Sequence, residues 1–198
     1  MDRYETVRCD LCPHYCSLKK GATGYCRARK NEGGQIVSLT YGKWTATSLD
    51  PIEKKPLAYY YPGTKILSLG TFGCNMACPF CQNNEISRAT IDSARFIEMS
   101  PEEVVQLALQ ERSRGNIGIA FTYNEPLINY ECVMETAQLA KEAGLITVMV
   151  SAGQINPDYL EPLLPYIDAW NIDLKSFSKF AYRELGGDLY TTLKTIRM

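Results

Sequence analysis

From residue 65 onward, short apolar and β-branched runs recur at 65–69, 118–122, 147–150 and 169–174, with helical patterns between them. Runs that are apolar at successive positions predict strands buried on both faces, as in a parallel sheet. A helix is predicted to open at Ser100-Pro101-Glu102-Glu103, a capping box with proline at the first helical position, ahead of Val104, Val105, Leu107 and Ala108. A second, over 127–143, places Leu127, Tyr130, Val133, Met134, Ala137 and Ala140 on one stripe and stops at Gly144. A third opens at Asn156-Pro157 and carries Leu160, Leu163, Leu164 and Ile167, and 189–198 reads as a fourth. Strands alternating with helices predict an α/β fold with a parallel sheet or barrel, here of four βα units.

Residues 1–64 do not follow this rhythm. The first 35 are rich in turns and hold four cysteines, and 36–64 alternate apolar and polar positions in short bursts, predicting a small antiparallel β segment. Asp50-Pro51-Ile52-Glu53-Lys54-Lys55-Pro56-Leu57 ends it, because two prolines interrupt any regular element. The expected organisation is a Cys-rich N-terminal region over 1–60 and a core over 61–198.

A hydrophobic content of 45% in 198 residues is enough for a full core plus a small appendage. The net charge of −1 supplies no basic field for a nucleic acid. No stretch reaches the about 18 apolar residues of a membrane span, and the polar start Met1–Glu5 has no signal-peptide core. The eight cysteines therefore fit a reducing cytoplasm and metal chemistry better than a secreted disulfide framework.

The main candidate site follows the first strand of the core. Cys74-Asn75-Met76-Ala77-Cys78-Pro79-Phe80-Cys81 places three thiolates at C-x3-C-x2-C. Three such ligands can hold three irons of a [4Fe–4S] cube, whereas an electron-carrying cluster normally takes four thiolates. One iron is then left to a small molecule, which points to chemistry. The plainer alternatives are a zinc knuckle or incidental core cysteines. In a parallel barrel, reactive groups gather at the C-terminal strand ends. Here those ends carry Asn124, Glu125, Ser151, Asp173 and Lys175, which are expected to share one rim. A second cysteine set, Cys9-x2-Cys12-x3-Cys16-x9-Cys26, has the spacing of a structural zinc site or an auxiliary iron–sulfur cluster, with zinc preferred because the surrounding loop reads like a zinc ribbon. His14 within it reads as a loop residue, and Cys132 as a small core residue.

Cys74-x3-Cys78-x2-Cys81-Gln82-Asn83, Tyr123-Asn124-Glu125-Pro126 and Asp173-Leu174-Lys175 resemble the radical SAM superfamily, in the subgroup that contains the glycyl-radical-enzyme activases (related to pyruvate formate-lyase activating enzymes). With the Asp50–Leu57 stretch and the N-terminal cysteines included, the resemblance is closest to the AmmeMemoRadiSam-system branch. It implies a partial (β/α)6 TIM-like barrel and an oxidoreductase that reductively cleaves S-adenosylmethionine (SAM) at a [4Fe–4S] cluster, generating a 5′-deoxyadenosyl radical. In the family the amino and carboxylate groups of SAM chelate the open iron. Phe80 stands at the aromatic position near the adenine, and Asn124 and Glu125 at the motif that receives the amino group. Ser151, Asp173 and Lys175 complete the cofactor side, although Ala152 replaces a usual asparagine before Gly153. A reductant such as ferredoxin or flavodoxin is implied, with a small-molecule or protein substrate. A glycyl-radical-enzyme activase and a non-catalytic iron–sulfur or zinc module are the alternatives. Six βα units are implied against four before Met198. The chain is therefore expected to be incomplete, with an apolar edge at Ile172 that invites aggregation or edge pairing.

Overall fold

A computed structural model describes residues 6–198; the polar start at Met1–Glu5 lies outside them. In chain order the strands and helices are β1 (Thr6–Arg8), β2 (Ser17–Lys19), β3 (Arg29–Glu32), β4 (Gln35–Ser38), β5 (Lys43–Trp44), β6 (Ala46–Pro51), β7 (Lys65–Gly70), α1 (Asn84–Ser87), β8 (Ile97–Glu98), α2 (Pro101–Gln110), β9 (Asn116–Phe121), α3 (Tyr130–Glu142), β10 (Ile146–Ser151), α4 (Pro157–Leu163), β11 (Ala169–Ile172), α5 (Lys179–Glu184) and α6 (Leu189–Arg197). None of the helices is long and apolar enough to cross a membrane among the described residues.

The central sheet has the order β11-β10-β9-β7-β6. Its four core strands are parallel, and β6 runs antiparallel against β7. The sheet is therefore a mixed, open α/β sheet that carries the four expected parallel strands and does not close into a barrel. The strand not expected in it is β6, from the N-terminal region, which pairs along the whole of β7 with Ala46 opposite Gly70 and Pro51 opposite Lys65. This pairing crosses the boundary expected at residue 60. Three two-stranded ladders, β1–β2, β3–β4 and β5–β8, make up the remaining β structure.

Register divides the two faces of the sheet. Ser48, Ser68, Ala120, Val148 and Ala169 form one row across all five strands, and a period of two puts Asp50, Ile66 and Val150 on the same face. On the opposite face Leu67, Leu69, Ile119, Phe121 and Met149 enter the main core with Val104, Val105 and Ala108 of α2 and Val133, Ala137 and Ala140 of α3. The α2 capping box is formed: Ser100 Oγ accepts from the Glu103 N–H at 3.3 Å, and Glu103 Oε2 accepts from the Ser100 N–H at 2.7 Å. The helix expected from 127 begins as a 3-10 turn over Pro126–Asn129 and becomes α-helical at Tyr130. Cys132 is fully buried in the core.

One ion pair fastens the N-terminal β structure to α3. Arg29 donates from both terminal nitrogens to Glu131, at 2.7 and 2.6 Å, and its side chain is only 6% exposed. Burial opposes ionisation of Glu131, but the Arg29 bonds and charge outweigh it and hold the carboxyl below its usual range. Removing one partner of a buried pair costs about 3–5 kcal/mol, and the half-exposed Glu131 reduces this to about 2 kcal/mol. Glu131→Gln should therefore lower stability by that amount in urea melts at pH 7. A depressed carboxyl contributes fully above its unfolded value of about 4.3 and loses the contribution as pH falls through the folded value. The gap between wild type and variant should shrink below about pH 4; a constant gap contradicts the assignment.

Candidate active site

The parallel strands deliver their C-terminal ends to one rim, and a cavity of about 780 Å³ opens there. Cys74, Cys78, Phe80 and Cys81 border it from the loop after β7, Asn124 and Glu125 from the segment after β9, Ser151 from the end of β10, and Asp173 and Lys175 from beyond β11. The residues expected on the rim and the three-cysteine loop thus meet around one space. Phe80 is exposed at its mouth.

Glu125 is the most constrained of them. It is 1% exposed, and its carboxylate accepts from Ser151 Oγ at 2.7 Å, the Ala152 N–H at 2.9 Å and the Leu127 N–H at 3.1 Å. Burial pushes its carboxyl upward while these donors oppose the rise. Ser151 is locked in turn, since its Oγ accepts from the Gly153 N–H at 2.8 Å. Asn124 spans the loop that leads to the cysteines: Oδ1 accepts from the Thr71 N–H at 3.0 Å, and Nδ2 donates to the Gly73 carbonyl at 2.9 Å. Lys175 Nζ donates to Asp173 Oδ2 at 2.6 Å. Burial alone would lower the Lys175 ammonium, but the Asp173 bond and charge raise it.

The cysteine loop is tied on both flanks. Gly73 has φ 83°, and a Cβ there would run into the Cys26 carbonyl, so only glycine fits this turn. The Cys74 N–H donates to that same carbonyl at 3.1 Å, and the Ala77 N–H to the Leu185 carbonyl at 2.6 Å. Asn75 Nδ2 donates to the Gln154 carbonyl at 2.7 Å, and His14 Nε2 lies 2.8 Å from the Asn75 carbonyl. Near the sulfurs, the Met76 N–H donates to Cys74 Sγ at 3.4 Å, and Ser87 Oγ is 3.4 Å from Cys81 Sγ. Burial, helped by the Glu125 charge, pushes the Cys74 thiol up to about 12. A multi-iron cluster suits this donor set. Among the described residues no three His, Cys, Asp or Glu side chains converge on a single ion, whereas a cube takes each cysteine on a different iron.

Of the N-terminal cysteines, Cys26 reaches the same loop through its carbonyl. Cys9, Cys12 and Cys26 are buried and Cys16 is partly buried. Cys9 and Cys16 pack at the main core, while Cys26 sits with Ala28 and Ile128. Among the described residues no three of these thiols gather round a single point. His14 packs on the Tyr25 ring as well as bonding the loop, which gives this lone histidine a structural place.

Sequence reasoning missed a second set of cavity residues. Ser48, Asp50, Lys54, Lys55 and Tyr123 line its other wall. The signal was present: four charges within the six residues 50–55, beside two prolines, in a stretch read as a strand terminator and as part of the family resemblance but given no role at the site.

A cavity thus opens at the C-terminal rim of parallel strands, walled by three cysteines on one loop and a buried carboxylate after the next strand. The chain belongs to the Radical SAM superfamily, whose family model matches residues 68–198. It is similar to an uncharacterized protein of Methanocaldococcus jannaschii, 38% identical over 192 residues, which covers 97% of this chain and 56% of that protein. It is also 28% identical over 120 residues to the pyruvate formate-lyase-activating enzyme of Clostridium pasteurianum, covering 58% of this chain and 48% of that enzyme. The chain thus spans about half the length of the curated relatives it matches. In fold it is like QueE from Escherichia coli, with a TM-score of 0.53 and 12% identity over 77% of this chain and 66% of that one.

If Asn124 holds the cysteine loop in place, Asn124→Ala removes two hydrogen bonds of about 1 kcal/mol each and leaves loop groups unpaired. A loss of about 2 kcal/mol in urea denaturation is expected, together with faster proteolytic cutting in 71–83. An unchanged midpoint and cutting pattern contradicts the role.

Proposed function

We propose that the chain forms the cofactor-binding core of a radical SAM enzyme, with Cys74, Cys78 and Cys81 as ligands of a [4Fe–4S] cluster and SAM in the adjoining cavity. The observation that carries this reading is the meeting of all three cysteines with Glu125, Ser151, Asp173 and Lys175 around one space. Held by these three cysteines, a [4Fe–4S] cluster would supply the electron, drawn from a ferredoxin- or flavodoxin-type donor, for reductive cleavage of SAM to methionine and a 5′-deoxyadenosyl radical.

The chain's own residues bind, orient and exclude water. Glu125 keeps one carboxylate oxygen with a single protein donor, the Ala152 N–H, so that oxygen has capacity left for the cofactor's amino group. Phe80 offers an exposed ring to the adenine. Asp173 and Lys175 supply a mixed-charge pair for the polar groups of SAM. Met76, Ala152, Tyr182, Leu185 and Leu189 pack beside Cys74 and Cys78 and shield the loop from solvent on its α5–α6 side.

A protein substrate, as in the glycyl-radical-enzyme activases, is the second reading; the similarity to a pyruvate formate-lyase-activating enzyme supports it. For Cys9, Cys12, Cys16 and Cys26, three of them buried and one half-buried, a structural zinc ion or an auxiliary iron–sulfur cluster is the proposed occupant, since thiols at that spacing suit either.

Anaerobic reconstitution tests the main reading. The protein should take up iron and sulfide, show an EPR signal that changes on adding SAM, and release 5′-deoxyadenosine under dithionite. Cys78→Ala should abolish the SAM response and the cleavage, since the loop has no spare thiol. Cleavage that survives Cys78→Ala contradicts the ligand assignment.

A further inference from the structure

Asp50 is 4% exposed and Lys55 is 2% exposed, both on the cavity wall. Asp50 Oδ1 accepts from Ser48 Oγ at 3.2 Å and Lys54 Nζ at 3.1 Å, and Oδ2 accepts from Lys55 Nζ at 2.9 Å and the Tyr123 hydroxyl at 2.5 Å. Four donors saturate this carboxylate. Burial opposes its ionisation, yet the Tyr123 and lysine bonds hold its carboxyl well below the usual range. One carboxylate against two ammonium groups leaves the node with one net positive charge. Lys55 has three N–H donors and gives one to Asp50, with the Tyr123 ring 4.7 Å from its nitrogen and no other protein acceptor among the described residues. An ammonium this deeply buried is costly without further partners, so its remaining donors call for a ligand.

The backbone is arranged to make this node. Tyr123 has φ 71°, a strained conformation for a non-glycine residue. Gly70 makes room for it, since a Cβ there would come within 2.9 Å of the Tyr123 side chain. Asp50 stands opposite Ile66, four residues before Gly70, so the node lies down the sheet from the cysteine loop.

We infer that Asp50, Lys54, Lys55 and Tyr123 form a substrate-binding site for an oxyanion, a carboxylate or phosphate group, on the cavity wall away from the cysteines. Lys55 and Lys54 bind the anion, and Asp50 with Tyr123 fixes the Lys55 ammonium. This rests on reading the cavity as the reaction chamber, and it adds the chemical class of the substrate, an acidic molecule or an acidic segment of one.

The test is titration calorimetry of the reconstituted protein with inorganic phosphate and with succinate, each with and without SAM. One of the two should bind at a single site, and the tighter one identifies the oxyanion. Lys55→Met should weaken that binding at least tenfold while the SAM-induced EPR change persists. Lys54→Gln, at a side chain 66% exposed and so tolerant of change, should weaken it about threefold and decides the matter if Lys55→Met does not fold. A purely structural tie would lower the melting temperature of Lys55→Met and leave anion affinity unaltered in Lys54→Gln. Absence of anion binding, equal affinity in the folded variants, or loss of the SAM response in Lys55→Met overturns the inference. Lys55-dependent anion binding in a protein that never responds to SAM instead preserves this site and removes the radical SAM reading.

Discussion

Because β7, β9, β10 and β11 run parallel, their C-terminal ends must lie along one rim, and the meeting of the three cysteines with Asn124, Glu125, Ser151, Asp173 and Lys175 depends on that alignment. Parallel strands need a crossover after each one, so the loops after β7, β9, β10 and β11 are free to carry chemistry at that rim. Glu125 is the knot among these loops. It joins the end of β9 to Ser151 and Ala152 at the end of β10, and next to it Asn124 joins the same segment to the loop that follows β7. A buried carboxylate with three donors is stable only while all three remain in place. The position of the cysteine loop is thus linked to the register of strands distant from it in sequence.

Much of this was legible from local pattern. The four core strands, the capping box at Ser100, the stop at Gly144 and the helix start at Asn156-Pro157 rest on short-range rules, and the structure reproduces them to within about two residues. β6 was not legible as a core strand. Its Ala46-Thr47-Ser48-Leu49-Asp50-Pro51 reads as polar because Ser48 and Asp50 face the cavity, and its proline falls at the last position of an edge strand, where a missing donor is tolerated. The helices α1 and α5, with four and six residues, are too short to show a period. The Arg29–Glu131 pair joins residues 102 apart, a separation that no local signal spans.

The site was legible to the same degree. Cysteine spacing located the loop, and strand-end logic located Glu125, Ser151, Asp173 and Lys175, because chemistry at a rim follows from topology. The Asp50–Lys55–Tyr123 node escaped because its members come from two distant segments, and a buried lysine looks like any other lysine in a sequence. The antiparallel edge escaped for a related reason: which strands pair at the sheet edges is not a local property, and here β6 occupies the edge beside β7 while β11 forms the other.

The central claim is that the three-cysteine loop holds a cluster with one iron open to a small molecule in the cavity. Electron–nuclear double resonance on the reduced, reconstituted protein addresses it most directly, using SAM labelled with 15N at the amino group and 17O at the carboxylate. The account predicts hyperfine coupling from both labels to the cluster, and its loss when Cys74, Cys78 or Cys81 is replaced. A reduced cluster that shows no coupling to either label under saturating SAM would contradict it.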